Sequence, residues 1–263
     1  MFGKLKFPNT STKEKLMIEA VDLCAGYKNN LILKNLSFTL KDKGLTVLLG
    51  ANGSGKSTLL SLIAGVPNSS LECRNEPLID GQKISTFSSY ERAQKIAFTA
   101  QNETCAWAYS VNEYVAMGRF AKEEDSQIVA WALKSLALEA LADRAVTELS
   151  GGEFARAAIA RSLVQDTPYL LLDEPQANLD IQHQYALFNL LEEIAKTKSI
   201  LVTMHDINMA ALFAENILLL KSGTLIAEGS PEKVITAENI QKAYSINVQL
   251  MEHPIRKKVQ IYL

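Results

Sequence analysis

Two glycine-rich turns hold most of the residues in this chain whose types and spacing could do chemistry. The first, "GANGSGKST", runs from Gly50 to Thr58, and the second, "LSGGE", from Leu149 to Glu153. Gly50-x4-Gly55-Lys56-Ser57 fits the phosphate-loop pattern, with the apolar run "LTVLLG" before it and "STLLSLIAG" after it. In such a strand–turn–helix the backbone N–H groups of Asn52, Gly53, Ser54 and Gly55 can close around β- and γ-phosphates, and the helix dipole favours their charge. Lys56 would neutralise the phosphates, Ser57 would bind Mg²⁺, and Thr58 completes the motif. Further on, "YLLLDEP" delivers Asp173 and Glu174 to the carboxyl end of a buried strand. Asp173 suits the Mg²⁺ shell, and Glu174 is placed to polarise an attacking water as general base.

Two features stay open at this level. "TMH" ends at His205, whose neutral imidazole could contact a γ-phosphate or the water, or could be a plain strand-end histidine. Ser150-Gly151-Gly152-Glu153 is an anion cradle by its glycines and a capping box by its Ser and Glu, so a well-capped helix start accounts for it equally. One nucleotide needs one phosphate cradle, and this chain has two candidates. His183 and His253 have no comparable setting.

The elements that must position these residues follow from periodicity. "MIEAVDLCAGY" and "LKNLSFTL" alternate apolar with polar residues, as half-buried antiparallel strands do. "LTVLLG", "YLLLD" and "SILVTM" are continuous apolar runs, as expected of buried parallel strands, and "KIAFTAQ" reads as a further strand reaching Gln101. Between 110 and about 145 the period is helical, with Val129, Leu133, Leu136 and Ala140 on one face. A helix over 150–165 and an amphipathic one marked by Leu187, Leu190, Leu191 and Ile194 follow. The order predicts an α/β sandwich with a helical subdomain over roughly 102–160, preceded by a flexible extension at residues 1–16.

Composition narrows the function class. The chain has 263 residues, 48% apolar and 21% charged, as an ordinary globular protein does. A net charge of -2 gives no footprint for nucleic acid. No apolar run reaches the roughly 18 residues of a membrane span, since "MAALFAENILLL" is broken by Glu215 and Asn216. Cys24, Cys73 and Cys105 show no metal-binding spacing and read as reduced thiols. The basic "RKK" at 256–258 reads as a solvated tail.

Taken in order, "GANGSGKST", Gln101, "LSGGE", "YLLLDEP", "ANLD" and His205 resemble the ATP-binding cassette (ABC) ATPase family, over residues 17–263. The resemblance implies an α/β fold: a P-loop NTPase (RecA-like) core with an antiparallel β subdomain and a helical signature subdomain. It implies ATP as substrate with Mg²⁺ held by Ser57, Gln101 and Asp173, and chemistry carried by Glu174, His205 and Lys56. Tyr27 would stack on adenine. Two copies would sandwich two ATPs head to tail, so that Ser150, Gly151, Gly152 and Glu153 complete the partner's site and Asp180 lies in the loop crossing the dimer. Two cradles would then serve two nucleotides. Gln176 departs from the Thr usual after "DEP", a position for which a change is expected to be tolerated.

"SVNEYVAMGR", "MHDINMA" and the tail "GSPEKVITAENIQKAYSINVQLMEHP" resemble the importers of ferric siderophores, haem and cobalamin. The implied protein is a peripheral ATPase on the cytoplasmic face of a bacterial inner membrane. It would work with integral membrane permease subunits and, indirectly, a substrate-binding protein, with no nucleic acid involved. Ferric siderophore is the first expectation for cargo, haem or cobalamin the next, and a non-transport cytosolic ABC ATPase the competing class.

Overall fold

The computed structural model describes residues 17–28 and 30–262, so the expected extension at 1–16 lies outside the described residues. The chain starts with β1 (Ile18–Tyr27) and β2 (Asn30–Leu40), an antiparallel pair. β3 (Gly44–Gly50) opens a second sheet and leads through the first glycine turn into α1 (Lys56–Ile63). β4 (Leu71–Arg74), β5 (Leu78–Ile79) and β6 (Gln82–Lys83) return to the first sheet, and α2 (Ser89–Lys95) leads to β7 (Ile96–Thr99). Three helices intervene: α3 (Val111–Ala116), α4 (Ser126–Ser135) and α5 (Gly151–Val164). β8 (Tyr169–Asp173), α6 (Ile181–Ala195), β9 (Ser199–Met204), α7 (Ile207–Phe213), β10 (Asn216–Lys221) and β11 (Thr224–Gly229) complete the second sheet. α8 (Pro231–Val234), α9 (Ala237–Tyr244) and the hairpin β12 (Gln249–Glu252)–β13 (Val259–Tyr262) follow.

The second sheet runs β11-β10-β3-β9-β8-β7, parallel from β10 to β7, with β11 antiparallel at its edge. The period of two in its strands divides the core. Leu45, Val47 and Leu49 of β3 join Leu170, Leu172, Ile200 and Val202 on the face that carries α5 and α6. Leu48, Leu171, Leu201 and Leu218 face the other way, onto Leu59, Leu60 and Ile63 of α1 and the inner face of the antiparallel sheet. Strands covered on both faces must be apolar throughout, which is why these runs do not alternate. Buried residues of α3, α4 and α5 belong to the first of these two clusters, so the helical region shares its core with the sheet.

Three expectations are corrected. α4 ends at Ser135 because Ala137 turns left-handed (φ 54°) and the Leu138 N–H closes onto the Leu133 carbonyl at 2.8 Å. Leu138, not Ala140, therefore reaches the core, while Ala140 is exposed. The strand before Gln101 stops at Thr99. The basic tail is also not simply solvated. The Arg256 guanidinium stacks 4.4 Å over the Phe213 ring and donates to Asn189 Oδ1 at 3.1 Å. Among the described residues no helix is long and apolar enough to cross a membrane.

Candidate functional site

Strand order brings the first set of candidate residues together. β9 lies between β3 and β8, and its register sets Met204 beside Leu49 and Thr203 beside Asp173. Gly50, Asp173 and His205 thus leave one crevice at the carboxyl ends of three adjacent strands, where open α/β sheets bind ligands. A cleft of about 720 Å³ opens there, lined by Asn52, Gly53, Gly55, Lys56, Ser57, Thr58, Gln101, Glu174, His205 and Ile32.

The loop itself is shaped for close approach. Gly55 is the N-cap of α1 at φ 103°, and a Cβ there would sit 2.7 Å from Leu33 Cδ2, so β2 presses directly on the turn. No side chain caps α1, and its first turn has no acidic residue. Its N–H groups and the positive end of its dipole are therefore left for an anion. Lys56 is buried and donates to the Gly50 and Ala51 carbonyls at 2.9 and 3.4 Å. Ser54 Oγ is buried with no hydrogen-bond partner among the described residues. These groups suit a polyphosphate.

The acidic end of β8 is built around one hydroxyl. Thr203, fully buried, donates to Asp173 Oδ1 at 2.5 Å and accepts the Glu174 N–H at 2.8 Å. Glu174 itself is left-handed (φ 48°), a conformation sparsely populated by residues other than glycine and concentrated at functional sites. Its carboxylate gathers three groups: Gln101 Nε2 donates to Oε2 at 2.8 Å, His205 Nδ1 stands 3.7 Å from Oε2, and Lys56 Nζ 3.8 Å from Oε1. Such a carboxylate, beside a turn suited to phosphate, can accept a proton from water. Asp173 and Ser57 supply two hard oxygen donors, a set that fits Mg²⁺ when phosphate oxygens and water complete its shell.

The second turn is assembled differently. Ser150 caps α5: its hydroxyl accepts the Glu153 N–H at 3.3 Å, while Glu153 Oε2 accepts the Ser150 N–H at 2.8 Å. Those hydrogen bonds hold the Glu153 carboxyl below its ordinary range. Gly152 is required by packing, since a Cβ would lie 2.7 Å from the Asn178 carbonyl oxygen, whereas one on Gly151 would meet only open space. None of these four residues lines the large cleft; Gly151 lines a separate one of about 180 Å³ shared with Gln101, Asp173 and Glu174.

Two further candidates stand apart. Tyr27 ends β1 outside the cleft lining, and its hydroxyl accepts from Asn68 Nδ2 at 3.4 Å. Asp180 caps α6 and is clasped by His183, whose backbone N–H and Nδ1 meet its oxygens at 2.9 and 2.8 Å. These contacts hold the Asp180 carboxyl below its usual range. Sequence reasoning assigned no role to His183, and it missed Ile32 and Thr203. Thr203 leaves one trace, a hydroxyl inside the apolar run "SILVTM"; Ile32 leaves none.

The ABC transporter family model matches residues 33–177. The ferric enterobactin transport ATP-binding protein FepC of Escherichia coli (strain K12) is 33% identical over 254 residues, covering 93% of each chain. The hemin import ATP-binding protein HmuV of Bartonella quintana (strain Toulouse) is 35% identical over 254 residues, 90% of this chain and 94% of that protein. A solved dimeric structure of the ATP-binding cassette MJ0796, in a post-hydrolysis state bound to ADP and Pi, matches with a TM-score of 0.73 and 27% identity. It covers 81% of this chain and 98% of that one.

Proposed function

The chain belongs to the ABC transporter family and is an ATPase of that family; from that premise we propose that it powers uptake of a ferric siderophore through an inner-membrane permease. The observation that carries the chemistry is the convergence of Lys56, Gln101 and His205 on the Glu174 carboxylate beside the phosphate loop. Residues 17–263 would act as one ATPase unit, with a helical signature subdomain at roughly 102–160.

In this reading the loop Gly50–Thr58 cradles the phosphates and Lys56 turns from the loop carbonyls to balance their charge. Ser57, Asp173 and Gln101 hold Mg²⁺, which when bound supplies charge neutralisation on the phosphate oxygens. Glu174 takes a proton from water as the water oxygen attacks the γ-phosphorus, and ADP leaves with phosphate as the second product. His205 orients the attacking water or the γ-phosphate. Tyr27 stacks on adenine. A second copy supplies Ser150, Gly151, Gly152 and Glu153 to the same nucleotide, and Asp180 lies where the two copies cross. The open face of Gly151 supports that arrangement, because among the described residues no atom would lie within 4 Å of a Cβ built there. The permease and a substrate-binding protein complete the importer, with the ATPase on the cytoplasmic face of the membrane.

Kinship supports the cargo. FepC carries ferric enterobactin in its name, and HmuV, equally similar, carries hemin, which makes haem the second reading. Uptake of radiolabelled ferric siderophore and of haem in cells lacking this chain separates them. Loss of ferric siderophore uptake, restored by the wild-type chain and not by Glu174→Gln, is expected. Loss of haem uptake alone would move the assignment to haem.

A further inference from the structure

Gln101 is held on both sides by one helix. Before it, the hydroxyls of Thr99, the last residue of β7, and Ser162 of α5 share a hydrogen bond of 2.5 Å, with both residues buried. After it, Glu103 Oε1 accepts a charge-assisted hydrogen bond from Arg161 Nη2. The span 99–103 is therefore tied at each end to neighbouring residues of α5, with Gln101 midway. Tyr114 backs the second tie. Its ring lies 4.7 Å from the Arg161 guanidinium, its hydroxyl donates to Glu103 Oε2 at 3.5 Å, and its ring meets Phe154 of α5 at 5.6 Å between centroids.

This cluster has a cost that points to a purpose. Glu103 and Arg161 are both partly buried, and an ion pair taken from water gives up hydration that its mutual attraction must offset. A loop that needed only an apolar anchor would avoid it. What the pair adds is direction, since a guanidinium and a carboxylate lock only in a narrow set of orientations.

α5 runs without a break from the Ser150 turn to Val164, with Ala157, Ala158 and Ala160 buried, so one continuous helix joins the glycine turn to Arg161 and Ser162. Arg161 and Ser162 in turn hold the span that carries Gln101, whose amide is 2.8 Å from Glu174. We infer that Glu103 and Arg161, with the Thr99–Ser162 pair, are positioning residues through which the signature helix sets the Gln101–Glu174 contact. The effect on turnover rests on the reading of Glu174 as base.

The test uses the full chain, with ATP turnover and melting measured for Glu103→Ala, Glu103→Gln, Gln101→Ala and the double Glu103→Ala/Gln101→Ala. Glu103→Ala should lower kcat about tenfold while KM for ATP stays within about twofold. Glu103→Gln, which keeps an oxygen for Arg161, should recover to within about threefold of wild type. The double variant should be no slower than Gln101→Ala alone, because both act through one amide. Should Glu103→Ala fail to fold, Thr99→Val cuts the other tie and must show the same split and the same non-additivity. Multiplying effects, or a kcat loss that merely follows lost folded protein, would overturn the inference. Glu174→Gln measured alongside keeps the two readings apart: wild-type turnover there removes the base, while non-additivity between 103 and 101 still decides the tether.

Discussion

The two glycine turns begin their helices by opposite means. α1 starts at a left-handed glycine with no side-chain cap and no acidic residue in its first turn, while α5 starts with Ser150 and Glu153 in a complete reciprocal capping box. At α1 the uncapped helix start and a buried lysine suit an anion within one chain. At α5 the cap already satisfies two donors, and a carboxylate held ionised stands at the positive end of the dipole. A phosphate could displace that arrangement only with help. In the proposed reading this difference gives similar compositions two roles: the first turn would bind by itself, and the second would present Gly151 to a partner.

The largest effect should come from the turn that binds alone. Lys56→Ala removes the cation proposed to balance the β- and γ-phosphates, so ATP turnover should fall below detection. Melting and circular dichroism should stay near wild type, because among the described residues Lys56 bonds loop carbonyls and otherwise lies 3.8 Å from Glu174. A collapsed Lys56→Ala protein would instead make Lys56 a structural residue and erase the contrast between the turns.

Glu174→Gln comes next. It keeps the shape and the contact with Gln101 but removes the proton acceptor, so hydrolysis should slow by about 100-fold or more with MgATP still bound. Retained ATP should show as an accumulating dimer in size-exclusion chromatography. Turnover near wild type would take Glu174 out of the base role.

Thr203→Val tests the support beneath that site. The substitution leaves Asp173 and the Glu174 N–H without their shared hydroxyl while preserving shape. A hydrogen bond to a charged group is worth roughly 1.5–3 kcal/mol, so a loss of about tenfold or more in kcat is expected. An unchanged rate would mean that the strand alone holds both carboxylates.

The sequence carried the sheet and the first turn almost completely, because both rest on local signals. Apolar runs mark strands covered on two faces, and the spacing from Gly50 to Ser57 marks the loop. What it concealed depends on contacts between distant segments. Ile32 reaches the cleft because β2 folds over the loop, and Thr203 meets Asp173 only through strand register. The end of α4 was hidden because Ala137, not glycine, takes the left-handed position. Arg256 looked like a tail residue because Phe213, its stacking partner, is remote in sequence. The second turn was legible as a cap and as a cradle, and one chain alone cannot choose, since its capping box is satisfied in either case.

The smallest expected signal is the one that chooses. Suppose each "LSGGE" completes the site built on the other copy's phosphate loop. Homodimers of Lys56→Ala then have two dead sites, and so do homodimers of Ser150→Arg, in which a bulky cation blocks the signature turn. A mixed dimer collects both defects in one site. The other site joins an intact Lys56 to the partner's intact turn, so hydrolysis should return to about half the wild-type amplitude. Single-turnover measurement on tag-selected mixed dimers reads this, because steady-state cycling can require both sites. In a cis arrangement each site of the mixed dimer keeps one lesion and nothing returns. The small cleft beside Gly151 touches its own Asp173 and Glu174, so the cis outcome is a physical alternative rather than a formal one. Against it stands the cap: within one chain Ser150 and Glu153 are occupied with each other, and none of the four signature residues lines the large cleft. Recovery in the mixed dimer would fix the second turn as an incomplete site finished by a partner; a silent mixed dimer, shown to have formed, would return both turns to a single nucleotide.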